Sequence, residues 1–438
     1  MPTKRWIVYI DGTGNDASSR TNIYRMFEAT VKKAEVGGVW QDAKYWPGVG
    51  VKPWEKLRGG AFGRYLSKQI LEAYTWLAEH HRDHDEIHIL GFSRGAFAAM
   101  GLVGFLAWRG LPKKQDSPKR LNGLSERHFK LYHQSTRKSQ ESREPGSRSW
   151  EELNSLSKEE RSGLSTLDQE VVEQFRPVGI KFVGLFDTVR AAGLEVFRWI
   201  GNRMPSEVPE ALKVATRGTL ALRYTRHLPS NVERAYHALA IDEHRAVFHP
   251  RVWIVPKQRA NSPQAVEQRW FIGAHANVGG GYDHDSLAVI PGYWMQEKAK
   301  ASGIRFVTGK EHRNPSPSSE DCLTHNQGCK DCLVRDSYRE WLKGIYSRLS
   351  WRRYQRPIYA YVEQQQGLEY ERQTVDQTVA ERYAQDPCYR PKNFEKWLDG
   401  CMIGRIEKLR DSLGNDLIDR CFEKLRASRM RTDEPPCS

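Results

Sequence analysis

Glu86-Ile87-His88-Ile89-Leu90-Gly91-Phe92-Ser93-Arg94-Gly95-Ala96 is the stretch whose reading decides the fold. An apolar, β-branched run follows the charged residues Arg82-Asp83-His84-Asp85, and small and apolar residues from Ala96 to Leu106 leave the turn. That order predicts a strand, a sharp corner and a buried helix. Glycines two residues either side of Ser93 let strand and helix approach closely, so the corner reads as a nucleophile elbow with its hydroxyl raised above a sheet. The five-residue pattern alone can arise by chance in a long chain; the strand before it and the Ala96, Ala98, Ala99 and Gly101 surface after it give it weight. It predicts a hydrolase that works by covalent catalysis.

Composition sets the bounds. The chain has 438 residues, enough for two to three typical domains or one large α/β domain with insertions. No run of about eighteen apolar residues indicates a transmembrane helix. Met1-Pro2-Thr3-Lys4-Arg5-Trp6 passes straight into a strand-like run without the features of a signal peptide, so synthesis and folding in the cytoplasm are expected. Seven cysteines, mostly far apart, do not make a secreted disulfide framework, and reduced thiols are the expectation. A formal charge of +14 points to polyanionic partners, an anionic membrane surface or nucleic acid, with a simply solvated surface as the plainer reading. Lys and Arg are dispersed among acids with no nucleic-acid motif, which argues against specific nucleic-acid binding.

Working outward from the elbow, Trp6-Ile7-Val8-Tyr9-Ile10 reads as a first strand ending in the glycine-rich corner Asp11-Gly12-Thr13-Gly14-Asn15. Further loops follow at Tyr45 to Gly50 and Arg58 to Gly63, and Ile70, Ala73, Tyr74, Leu77 and Ala78 recur at helical spacing. Strand and helix alternate, so the fold class is α/β: an α/β-hydrolase-like, mainly parallel sheet flanked by helices. The catalytic domain is expected over residues 1–300, with a helical, loop-rich region over 301–438 packing on it. A polar insertion at about 112–179 either caps the site or stays partly disordered, and a second at about 197–229 reads as a packed helical subdomain. Between and after them come strands at Ile180 to Phe186, Val252 to Val255 and Gln268 to Ile272, then helices at Asp336 to Leu349 and Asn393 to Leu425.

A serine hydroxyl needs a base, normally a histidine oriented by a carboxylate. Asp187 directly follows the strand Ile180 to Phe186, where it could equally be a helix N-cap. Three histidines compete: His275, which opens a glycine-rich loop after a strand; His237, on a helix-like apolar pattern that suits a satisfied buried histidine; and His284, between Asp283 and Asp285. The order Ser93, Asp187, His275 is that of α/β hydrolases and favours His275. The Arg94 amide and the Gly12-Thr13 loop are the expected oxyanion hole, with Asp11, Gly14 and Asn15 as substrate contacts. Acyl transfer by this route needs no cofactor. The Asp11 loop lacks a P-loop ending, so nucleotide binding is disfavoured. Cys322, His325, Cys329 and Cys332 are zinc-ligand types, but their loop is short for closing around one ion, and no metal is assigned. Metal-dependent hydrolysis through Asp11 and Asp187 would leave the elbow unexplained.

These residues resemble an α/β-hydrolase family, domain of unknown function 2235, which includes type VI secretion phospholipase effectors. The resemblance is carried by Ile10 to Asn15, Tyr45 to Gly50, Gly91 to Ala96, Gly184 to Val189, His237 to Arg245 and His275 to Tyr282, with weaker similarity through Arg353 to Ile358 and Asp376 to Arg382. It implies a Ser93–Asp187–His275 triad hydrolysing phospholipid acyl esters, export by a type VI system with a secretion component as partner, and in toxic members an immunity protein. Ala276-Asn277 and Asp376 depart from the residues common in relatives. A small-ester or thioester hydrolase, and a non-catalytic interaction protein on the same scaffold, remain alternatives.

Overall fold

The computed structural model describes residues 3–48, 61–135, 148–189, 226–256, 265–282, 286–309, 334–340, 353–358, 368–369, 373–402 and 413–430. In chain order its strands are β1 (Lys4–Ile10), β2 (Ala34–Val36), β3 (Val39–Trp46), β4 (Glu86–Phe92), β5 (Leu111–Pro112), β6 (Phe175–Arg176), β7 (Phe182–Phe186), β8 (Arg234–Ala240), β9 (Val255–Pro256), β10 (Ala265–Phe271), β11 (Leu368–Glu369) and β12 (Gln373–Val375). Eight of them form one sheet in the order β12-β10-β8-β7-β4-β1-β3-β2. Every pairing in it is parallel except β2 with β3. Parallel strands joined by helical crossovers carry helices on both faces, and the burial pattern follows. On β1, Trp6, Val8 and Ile10 enter a core shared with α2 (Ala61–His80) and α3 (Ser93–Arg109), while Ile7 and Tyr9 enter the opposite core with α1 (Asn22–Ala29) and the helix Val289–Ala301.

The strands at residues 6–10, 86–90, 180–186 and 268–272 lie where the sequence places them, within two or three residues at their ends. Two expectations are corrected. His237 stands on β8, not on a helix: β8 runs between β7 and β10 and is buried on both faces, so its apolar run lacks the two-residue alternation of a half-exposed strand. The strand expected at Val252 to Val255 does not enter the sheet, because β10 pairs directly with β8; Val255–Pro256 instead pairs with β11. The C-terminal region supplies more than helices, since β12 adds an edge strand beside β10. Its helices Gln377–Gln385, Lys392–Met402 and Asn415–Met430 share a core with Leu239 of β8, Trp270 of β10 and Ile272 just past it.

The polar insertion is folded where it is described. β5 and β6 pair antiparallel at its base, and α4 (Pro118–Ser135), α5 (Trp150–Asn154) and α6 (Thr166–Gln174) bury Leu124, Leu153 and Val171 together with Phe175 of β6. It packs on α2 and α3. Residues 197–225 of the second insertion, His284, and the Cys322, His325, Cys329 and Cys332 cluster lie outside the described residues. Among the described residues no cluster of ligand types could hold a metal ion, and no helix is long and apolar enough to cross a membrane. Cys388 is disulfide-bonded, which corrects the expectation of reduced thiols throughout, whereas Cys421 is free and buried.

The elbow tolerates no side chain at Gly95, where a Cβ would sit 2.3 Å from the Asp11 carbonyl oxygen and 2.4 Å from that of Ile10. Gly95→Ala is therefore expected to lower stability by about 1–3 kcal/mol. Gly123→Ala, in open space within α4, should raise it by about 0.5–1 kcal/mol. Denaturant midpoints of the two variants check the pair.

Candidate active site

Ser93 sits at the junction of β4 and α3 with φ +58°, a left-handed conformation that non-glycine residues seldom adopt. The strain turns its side chain away from both elements, as an elbow requires. Its Oγ lies 2.7 Å from His275 Nε2, and His275 Nδ1 lies 2.5 Å from Asp187 Oδ2. The three residues occupy the C-terminal ends of neighbouring parallel strands: Ser93 after β4, Asp187 after β7 and His275 just beyond β10. Parallel topology makes that meeting possible, because it brings the C-terminal ends of all these strands to one edge.

Asp187 is fully buried and heavily supplied with donors. Its Oδ1 accepts from the Ala240 amide at 3.0 Å and Arg356 Nη1 at 2.6 Å, and its Oδ2 from Arg356 Nη2 at 2.9 Å as well as from His275. Burial alone would push this carboxyl up, but the Arg356 guanidinium and the His275 hydrogen bond outweigh it and hold the group well below the usual carboxylate range. For His275, burial dominates and holds the imidazole below its ordinary value, with Asp187 opposing. Phe92 and Phe248 flank the ring, each with its centroid 4.8 Å away. Behind it the buried Glu243 accepts from the His275 amide at 3.3 Å and Ser337 Oγ at 3.0 Å, and holds Arg245 through two contacts of 2.7 and 2.8 Å.

The other sequence candidates divide. Thr13, Asn15 and Arg94 line a cavity of about 400 Å³ with Ser93 and His275. The Arg94 amide is in the first turn of α3, where amides have no intrahelical acceptor. Gly12 is different: its amide donates to Asp11 Oδ1 at 2.7 Å, and it does not line the cavity as Thr13 does. Asp11 and Gly14, expected as substrate contacts with Asn15, do not line the cavity. Asp11 is buried and anchors the loop, accepting from Thr21 Oγ1 at 2.6 Å and the Tyr45 hydroxyl at 2.8 Å, and burial pushes its carboxyl up to about 6. His237 accepts from the Thr188 amide through Nε2 at 3.1 Å, a buried structural role next to Asp187. Asn277 Oδ1 accepts from the Ala274 amide, and Asp376 caps the helix Gln377–Gln385.

Sequence reasoning missed Glu243, Arg245, Phe248, Ser337 and Arg356 as members of this site. No residue of the 112–179 insertion lines the cavity among the described residues, so the cap expected there is not seen.

No curated protein matches the chain. Among solved structures, an uncharacterized protein from Pseudomonas aeruginosa is 17% identical, with 73% of this chain and 48% of that one covered at a TM-score of 0.35. The Tle1 effector bound to the VgrG spike of a type 6 secretion system is 16% identical, with 64% and 51% covered at a TM-score of 0.29. A thioesterase, RedJ, of the prodiginine pathway of Streptomyces coelicolor is 15% identical, with 69% and 89% covered at a TM-score of 0.28. The chain thus spans about half the length of the first two. Residues 4–298 match the family described as "T6SS, Phospholipase effector Tle1-like, catalytic domain". With two thirds of its length in that match, the chain belongs to the Tle1-like family of type VI secretion phospholipase effectors.

Proposed function

We propose that the chain is a serine esterase of phospholipase A type that cleaves acyl esters of glycerophospholipids. The observation that carries the reading is the relay from Ser93 Oγ through His275 to Asp187, at 2.7 and 2.5 Å, opening onto the cavity. Ser93 attacks the acyl carbonyl while His275 Nε2 takes its proton. Asp187 keeps the other proton on Nδ1 and stabilises the imidazolium that forms. The Arg94 and Thr13 amides receive the developing oxyanion. His275 then protonates the leaving glyceryl oxygen and activates water to release the fatty acid. Family membership supports delivery by a type VI secretion system, with a secretion component as one partner and the membrane as the other. An enzyme of this kind would attack its producer's own lipids, so an immunity protein completes the proposed set of partners.

Lipid mass analysis after incubation with vesicles tests the reaction. Fatty acid and lysophospholipid should appear with the parent, and Ser93→Ala should lower kcat by at least about 10³-fold. Release at the parental rate by a folded Ser93→Ala would falsify the mechanism, and cleavage of short esters alone would favour the small-ester alternative.

His275 must be neutral to act, so activity is present above its pKa and lost as pH falls through it. Burial holds that pKa below the ordinary 6.5, and the acid limb of kcat/KM should lie below 6.5. The formal charge of +14 predicts that binding to anionic vesicles weakens as salt rises, which sedimentation across a salt series measures.

A further inference from the structure

Arg356 lies beyond residue 298, where the family match ends, yet its guanidinium is fully buried against the proposed catalytic acid. Its two Nη atoms face the two carboxylate oxygens of Asp187 at 2.6 and 2.9 Å, the forked geometry that only arginine supplies. The same atoms donate to the Ala240 carbonyl at 2.8 Å and the Phe248 carbonyl at 2.5 Å, tying the end of β8 and the turn that carries Phe248 to the acid. The segment that delivers it is clasped in place. The Tyr354 amide donates to the His244 carbonyl at 2.9 Å, His244 Nδ1 meets the Tyr354 carbonyl at 3.0 Å, and the Tyr354 hydroxyl meets His249 Nδ1 at 2.5 Å.

We propose that Arg356 is a positioning residue for the Ser93–His275–Asp187 relay, and that residues 353–358, outside the family's catalytic region, complete the active site. The proposal rests on the serine-hydrolase reading above. A carboxylate with no solvent can rotate or take up a proton unless its oxygens are held, and either change removes the acceptor that fixes the His275 tautomer. Arg356 prevents both, because its fork sets the carboxylate plane and its charge favours the ionised form. Among the described residues, the other charged or titratable groups around the relay include Glu243, Arg245, His237 and the cavity-lining Arg94, and the hydrogen bonds of the Asp187 carboxylate go to Arg356, His275 and the Ala240 amide and to none of these four. Loss of Arg356 therefore raises the pH needed for a working relay, either by protonating Asp187 or by making the imidazole more basic.

The test is the pH dependence of Ser93 labelling by a fluorophosphonate, with thermal unfolding measured in parallel, in the full chain and in Arg356→Met, Arg356→Lys, Asp187→Asn and the Asp187→Asn/Arg356→Met double variant. Arg356→Met should label about tenfold or more slowly at pH 7, with its acid limb about one pH unit higher. Arg356→Lys keeps the charge but loses the fork, and should label several-fold slower with the limb in place. In the Asp187→Asn background, the Arg356→Met step should cost less than about threefold, because the group it acts through is gone. A lowered unfolding temperature with an unmoved limb, a parental rate in Arg356→Lys, or additive losses in the double variant would overturn the proposal. Where Arg356→Met does not fold, Arg356→Lys and the double variant decide. If the parent itself is not labelled at Ser93, the hydrolase reading falls, and the His275 Nδ1 proton resonance in the parent and Arg356→Lys decides separately. A shifted or lost resonance supports the positioning role, and an unchanged one overturns it.

Discussion

A carboxylate without water must be given donors by the protein, and at Asp187 that requirement organises the site. Its two oxygens accept from the Ala240 amide, both Arg356 Nη atoms and His275 Nδ1. Those donors come from the end of β8, from the 353–358 segment and from the turn after β10, so one buried charge joins three parts of the chain. Removing one partner of such a pair leaves the other charged and unsolvated, which is why buried pairs of this type are costly to break. Glu243 repeats the pattern behind His275, where it gathers Arg245, Ser337 and the His275 amide.

Topology then decides what these charges can reach. All the pairings from β3 to β12 are parallel, so the turns after β4, β7 and β10 open at the same edge of the sheet. The elbow adds local strain at Ser93, and Asp187 also has positive φ, at +40°. Both conformations are sustained because tightly packed neighbours leave the backbone no alternative. The close approach of Gly95 to the Asp11 and Ile10 carbonyls is one such constraint. Asp11 extends it to the first loop, whose Gly12 amide it occupies, so the loop presents Thr13 and Asn15 to the cavity.

The polar insertion follows a different logic. Its described helices bury a small core and lean on α2 and α3, adding bulk to one side of the sheet without contributing a described residue to the cavity. A charged, polar sequence is thus compatible with a folded subdomain, provided a few apolar positions such as Leu153 and Phe175 converge.

What the sequence by itself determined is local or ordinal. The strand–serine–helix corner at Ser93 was legible because glycine spacing and apolar runs dictate backbone over a few residues. Asp187 and His275 were legible because each ends an apolar strand, in a known order. The element carrying His237 was misread as helical, though its buried structural role was not, because a strand buried on both faces has no periodicity to distinguish it from a buried helix. Only the tertiary structure decided that Gly12 turns its amide to Asp11, that Asp11 anchors a loop without lining the cavity, and that β12 joins the sheet edge. Arg356 is the extreme case: it meets Asp187 across 169 residues of chain, from a segment whose family similarity gives no sign of which group its arginines reach. Short-range periodicity reports which faces are apolar; which cation neutralises a buried carboxylate depends on where the folded chain passes, and that is set only once the strands have assembled.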